Sequence, residues 1–276
     1  MNIRFAIFVS ILGASPSCFA QLTDHSASDG VLAEPAYQTG DYVESATIVS
    51  LVGDAGAQSY ADSFAPSHQV EFDVYVPKNY DPSTPAGLLV YVSPIASGGM
   101  PDAWQEVFDR RNLIWVSVNN SGNTMPAERR IAEAKLSSAF ILRNYEIDPQ
   151  RTFISGMSGG AQIATIASSL YPGLFNGGIF LCGVNPWSER DPDPWVEDPP
   201  EELETLRKNR YVFLSGTEDF KLAAIARAYR LFKKAGIDNS KLIVIEDMGH
   251  ELPNAEDYDR ALEFLDTRSA VTAKPE

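Results

Sequence analysis

Cysteine is almost absent from this 276-residue chain: there are only Cys18 and Cys182. Cys18 falls inside an apolar leader, so once the leader is removed no intramolecular disulfide can form, and stability must come from a hydrophobic core. Basic residues are also scarce. Lys and Arg number 22 against 37 Asp and Glu, a net charge of −15. No basic stripe breaks the acidic balance, which excludes general affinity for nucleic acid and argues against strongly anionic substrates. After the leader no apolar run approaches the ~20 residues that an integral membrane span needs. The 18 Pro and 19 Gly are scattered, without repeat or low-complexity tract, which excludes a collagen-like chain. Histidines number three, His25, His68 and His250, so any chemistry needing an imidazole has few candidates.

What is present begins with an export signal. Arg4 precedes the apolar stretch Phe5–Ala14, and Cys18-Phe19-Ala20 puts small residues at −3 and −1 before Gln21. This reads as a signal peptide over residues 1–20, cleaved after Ala20, and as a secreted or periplasmic protein. Ser15-Pro16-Ser17 before Cys18 lacks the Leu of a lipoprotein signal. Losing Arg4 moves the net charge to −16. Residues 21–42 are polar and aperiodic and read as a flexible N-terminal arm, leaving 43–276 as one domain.

Two strands are expected early, Ala46–Val52 and the alternating Val70-Glu71-Phe72-Asp73-Val74-Tyr75-Val76, whose one wet face suits an antiparallel edge. From residue 88 the pattern becomes short continuous apolar runs: Leu88–Val92, Leu113–Val118, Thr152–Ile154, Gly178–Leu181, Tyr211–Leu214 and Leu242–Ile245. Such runs fit parallel strands buried on both faces. Helical spacing lies between them, in Ala127/Ile131/Ala134/Ser138/Ile141, in Leu222/Ile225/Tyr229/Phe232 ending at Gly236, and in Tyr258/Ala261/Leu262/Leu265. The expectation is an α/β fold with a mostly parallel, doubly wound sheet and antiparallel N-terminal strands. Glu189–Glu204, with eight acidic residues and four Pro, is longer than an ordinary connection. It reads either as a cap near a site or as a solvated loop.

Gly156-Met157-Ser158-Gly159-Gly160 carries the chemistry. A G-x-S-x-G string alone is common, but here a strand, Arg151–Ser155, feeds into it and a helix from about Gly160 to Leu170 leaves it. That strand–turn–helix context is what exposes a nucleophilic Ser158 above a sheet edge, with glycines where a side chain would collide. No Lys-Ser/Thr follows, so a phosphate-binding loop does not fit. A serine needs a base. His25 lies in the arm and His68 before a strand, whereas His250 follows the last strand through Asp247-Met248-Gly249 and emerges at the same edge. Asp219, on the turn after Tyr211–Leu214, is the candidate to orient the imidazole, with Glu218 and Asp247 as competitors. Gly159 offers one oxyanion donor. The turn Ser93-Pro94-Ile95-Ala96 offers the other, and since Pro94 has no N–H, Ile95 is the first donor, with Ala96 behind it. Cys182, beside an apolar run, reads as a small buried hydrophobe. Trp187 and Trp195 are candidate substrate-binding residues, as is Trp104; Trp115 reads as packing.

These residues together resemble the α/β-hydrolases, and within them secreted carboxylesterases of the polyhydroxybutyrate-depolymerase and feruloyl-esterase type. The resemblance runs from about residue 70 to the C-terminus. It rests on Val76-Pro77-Lys78-Asn79-Tyr80, Val118-Asn119-Asn120-Ser121-Gly122-Asn123, Ile147-Asp148-Pro149-Gln150-Arg151, the Ser158 motif, Tyr171-Pro172-Gly173-Leu174-Phe175 and Cys182-Gly183. It implies Ser158 as nucleophile, His250 as general base, Asp219 as orienting acid, no metal or organic cofactor, and a small-molecule or polymeric ester as substrate. The chain departs from the family in having Ser93-Pro94 where His-Gly is frequent, and in lacking paired cysteines and a polymer-binding module. A serine peptidase of prolyl-oligopeptidase type and a non-catalytic binding protein are the alternatives.

Overall fold

The computed structural model describes residues 37–185 and 200–267. The stretch read as a signal peptide, most of that read as an arm, Trp187, Trp195 and most of the acidic insertion lie outside the described residues.

Eight strands form one sheet in the order β1-β2-β4-β3-β5-β6-β7-β8. β1 (Gly40–Thr47) and β2 (Gln69–Val76) pair antiparallel, and β2 joins β4 (Leu113–Val118) antiparallel. β3 (Ala86–Val92), β5 (Ile147–Met157), β6 (Gly177–Leu181), β7 (Arg210–Gly216) and β8 (Ser240–Ile245) continue it in parallel from β4. The antiparallel start and parallel remainder are as expected from the alternating and continuous apolar runs.

Two helix layers explain why those runs are continuous. Leu88, Val90 and Val92 face one core with α3 (Ala127–Asn144), α4 (Gly159–Leu170) and α6 (Leu222–Lys234). Leu89 and Tyr91 face the other, with α2 (Gln105–Arg111) and α7 (Ala255–Leu265). A short helix, α5 (Leu203–Lys208), takes up the last two residues of the acidic insertion. Both faces are dry, so no position along β3 can be polar without a buried partner. Arg151 on β5 has one: Asp266 after α7 accepts from Nη2 at 2.6 Å and from Nε at 3.0 Å, closing the last helix onto the base of the sheet. No helix among the described residues is long and apolar enough to cross a membrane.

The N-terminal expectation needs correction. β1 starts at Gly40, inside the stretch read as arm, and Ala46–Val52 is not a strand: β1 ends at Thr47 and helix α1 (Ile48–Gln58) follows. The β-branched residues suggest extension, but Thr47 Oγ1 accepts from Ser50 N at 3.1 Å, an N-cap that starts a helix. Ile48 and Leu51, buried ahead of the Gly53 kink, lie at helical spacing, and Ala57 is buried beyond it. Gly53, with φ of 72°, kinks the segment that follows.

Candidate active site

The parallel strands end on one edge, and the loops there assemble the site. β5 passes into α4 through Ser158, which adopts φ 53° and ψ −119°. A non-glycine residue in this region stores about 1–3 kcal/mol of strain. Ser158 N–H donates to Leu181 O at 2.8 Å and its carbonyl accepts from Gln162 N at 3.2 Å, so strand and helix hold it from both sides. Gly160 shows how tight the turn is: a Cβ there would lie 1.9 Å from Val92 O.

His250 reaches Ser158 from the loop after β8. Gly216 lets that loop close on the β7 loop, since a Cβ at Gly216 would lie 1.8 Å from Met248 O. Thr217 N–H donates to Ile245 O at 2.9 Å and Glu218 N–H to Met248 O at 3.1 Å, knitting the two loops together. His250 Nε2 is 2.9 Å from Ser158 Oγ, and Nδ1 is 2.8 Å from Asp219 Oδ1. An ionised carboxylate only accepts, so the proton sits on Nδ1 and Nε2 is left to accept from the serine hydroxyl. Of the three acidic candidates, Asp219 alone is within ion-pair distance of His250 among the described residues. Glu218 and Asp247 are exposed on the same loops.

Asp219 is buried, which by itself would raise its pKa. Hydrogen bonds outweigh that burial. Lys221 N–H donates to Oδ1 at 2.9 Å, Ser215 Oγ–H to Oδ2 at 2.7 Å, and His250 and the Cys182 thiol add to them, holding the carboxyl below its ordinary value. Cys182 is buried as expected, with a left-handed φ of 48° directly after β6. Burial, and then Asp219, push its thiol pKa up to about 12. Ligand atoms of Cys182, Asp219 and His250 lie within 4.8 Å of one another, a spacing a metal ion can span. A metal needs the thiolate, however, and here Cys182 is held as a thiol while Nδ1 is engaged with Asp219.

The oxyanion candidates behave differently from each other. Gly159 is the first residue of α4, so its N–H has no intrahelical acceptor, and it lines the same pocket as Ser158. Ile95 N–H donates to Ser93 Oγ at 3.2 Å, while Ser93 Oγ–H donates to Ser97 O at 2.6 Å. The Ile95 side chain is 64% exposed. Asn123 N–H donates to Pro94 O at 3.0 Å and Asn120 N–H to Ala96 O at 2.6 Å, fastening this turn to the loop after β4.

Several site residues escaped the sequence reading. Arg130 on α3 is 4% exposed. It donates to Ser93 O at 2.7 Å, to Asn123 Oδ1 at 3.2 Å and to Gly159 O at 3.4 Å, joining the Ser93 turn to the start of α4. Burial lowers its pKa, opposed by neighbouring Glu133. The available signal was an arginine three residues after Ala127 and four before Ala134, on the helix face turned inward. Phe220 is exposed with its ring 4.5 Å from that of His250, and Asn123, Gln162 and Lys221 line a cavity of about 420 Å³ with Ser158. Trp104 and Trp115 are packing residues. Both are buried, with indole N–H groups donating to Pro253 O and Gly98 O, and Trp104 stacks on Tyr258 at 3.9 Å. His68 stacks on Phe64 near Arg129, and His25 lies outside the described residues.

No family model matches the chain. It is 36% identical over 45 residues to an acetylxylan esterase of Coprinopsis cinerea, a match spanning 16% of this chain and 12% of that protein. Among solved structures, a ferulic acid esterase superposes with a TM-score of 0.57 at 17% identity, covering 82% of this chain and 95% of that one. Thermogutta terrifontis esterase 2, phosphonylated by cyclosarin, superposes at 0.56 and 17% identity, covering 77% and 93%. Porphyromonas gingivalis dipeptidyl peptidase 4 superposes at 0.57 and 16% identity, with 82% of this chain on 35% of that one. The likeness is one of fold: the chain has the α/β-hydrolase fold.

Proposed function

We propose that the protein is an exported serine hydrolase that cleaves a carboxylic ester through an acyl-enzyme on Ser158. One observation carries the reading: the unbroken hydrogen-bonded series from Ser158 Oγ through His250 to Asp219, at 2.9 and 2.8 Å, on a strained turn. These are the distances at which a base can take a hydroxyl proton.

In this scheme Ser158 Oγ bonds to the ester carbonyl carbon as its proton passes to His250 Nε2, and the carbonyl π electrons move onto oxygen. Gly159 N–H receives that oxyanion. Ile95 N–H supplies the second donor by exchanging its 3.2 Å bond to Ser93 Oγ for the stronger charged acceptor. The C–O bond to the leaving alcohol then breaks and His250 returns the proton to it. Water, deprotonated by His250, adds to the acyl-enzyme, and expulsion of Ser158 Oγ, reprotonated by His250, releases the acid. Asp219 stays ionised throughout and stabilises the imidazolium.

Esterases among the fold neighbours support ester substrates, while the dipeptidyl peptidase neighbour supports a second reading, a serine peptidase with the same three residues. Matched acyl esters and anilides separate them. Ester reading predicts turnover of 4-nitrophenyl esters with no measurable release from the corresponding 4-nitroanilides or from dipeptidyl anilides; amide turnover of comparable kcat/KM overturns it.

A further inference from the structure

Net charge disfavours anions at long range, yet among the described residues the lining of the pocket at Ser158 carries two cations and no carboxylate. Lys221 and Arg130 both line the 420 Å³ cavity that contains Ser158, as do Asn123 and Gln162. Among the described residues no carboxylate lies within ion-pair distance of the Lys221 ammonium. Its near neighbour is the Phe220 ring, at 5.7 Å. The Lys221 backbone is fixed, because its N–H donates to Asp219. Behind Asn123, one carboxylate, Glu133, stands between two guanidiniums: it pairs with Arg129 at 2.8 Å and faces Arg130. Asp219 is the anion bonded to His250, and the imidazole, a hydroxyl, a thiol and an amide all donate to it; Glu218 and Asp247 are exposed on the same loops and do not line the cavity among the described residues. Charges beyond ~8 Å are largely screened at physiological ionic strength, so the cations that line the pocket act on a bound ligand more strongly than charges elsewhere on the surface.

We propose that this pocket selects esters carrying a single carboxylate, with Lys221 as the specificity-determining cation. The proposal rests on the ester-hydrolase reading for the reaction and narrows its substrate class. The carboxylate of such a substrate meets the Lys221 ammonium and the amide N–H groups of Asn123 or Gln162, while Arg130 supplies positive potential from the pocket wall without leaving its three carbonyl acceptors. The acidic exterior then discourages polyanions more strongly than a monoanion.

The test compares each anionic ester with its methyl-capped neutral partner. Mono(4-nitrophenyl) glutarate against its methyl ester places the charge on the acyl side; 4-acetoxybenzoate against methyl 4-acetoxybenzoate places it on the alcohol side. In one of the pairs the anionic member should be favoured in kcat/KM by about tenfold, the worth of one charge-assisted hydrogen bond. Lys221→Met should remove that preference, Lys221→Glu invert it, and Lys221→Arg restore most of it. An unchanged ratio in Lys221→Met overturns the proposal, as does an equal loss on both members, which marks a structural role. Binding of 4-acetoxybenzoate and its methyl ester to Ser158→Ala by saturation-transfer NMR separates the two readings. Preferential, Lys221-dependent binding of the acid without hydrolysis by the wild type defeats the ester reading and leaves the anion site standing. Equal binding of both defeats the anion site.

Discussion

Replacing Arg130 with Met removes the guanidinium and keeps most of the volume of an unbranched side chain. Three acceptors lose a donor, Ser93 O at 2.7 Å, Asn123 Oδ1 at 3.2 Å and Gly159 O at 3.4 Å. Only the first is short, and a bond from a charged donor is worth about 1.5–3 kcal/mol. Two effects offset the loss. Arg130 Nε has no hydrogen-bond partner among the described residues, so removing the buried charge recovers desolvation energy. Glu133 keeps Arg129 and the Ser121 hydroxyl, so no carboxylate is stranded. The net cost should be about 1–2 kcal/mol in urea unfolding, small against the ~5–15 kcal/mol of a typical domain. Activity should suffer more. Arg130 joins the Ser93 turn to Gly159, the two proposed sources of oxyanion donors, and a shift of ~1 Å in such a group costs ~10²-fold. Turnover of a 4-nitrophenyl ester should therefore fall about 10²-fold in a fully folded protein. A kcat within twofold of wild type would refute the reasoning, showing that the turn holds its place without Arg130.

Four further outcomes are expected. Gly160→Ala forces a Cβ to 1.9 Å from Val92 O; since the obstacle is backbone, it should cost about 3 kcal/mol or more, and denaturation within 0.5 kcal/mol of wild type would contradict the tight elbow. Asp266→Ala removes the counter-charge of the buried Arg151 guanidinium, leaving it the Arg111 carbonyl at 2.8 Å, and should cost about 3–5 kcal/mol, read by the same titration. Cys182, its thiol pushed up to about 12, should resist iodoacetamide at pH 8 in the native protein and react once guanidinium unfolds it. Asp219 has a folded pKa below its unfolded value, so its ionisation stabilises the fold above the unfolded value. That contribution is lost as pH falls through the folded one. The stability difference between wild type and Asp219→Asn should accordingly shrink only as pH drops below about 4, and a gap independent of pH would contradict the assignment.

The strands from β3 onward and their order of appearance were legible because burial on both faces forces continuous apolar runs, as in Leu88–Val92. Ser158, Asp219 and His250 could be placed on one edge because each follows a strand of the parallel set. The β1–α1 boundary was not legible. Ile48, Val49 and Val52 favour extension locally, and the helix there depends on the Thr47 cap and on Arg143 of α3 reaching Leu51 O at 3.4 Å. Lys221 and Arg130 were missed for a related reason. The pocket is made where α3, α4 and the β7 loop meet, and nothing along the chain shows that Arg130, a charged residue, occupies the buried stripe of its helix.

The central claim is that the Ser158–His250–Asp219 series activates a nucleophile. Reaction of the purified protein with a fluorophosphonate, followed by peptide mass mapping, tests it most directly. One adduct per chain on Ser158, lost in His250→Ala, is the predicted result. A folded protein that takes up no label, or labels equally well without His250, contradicts it.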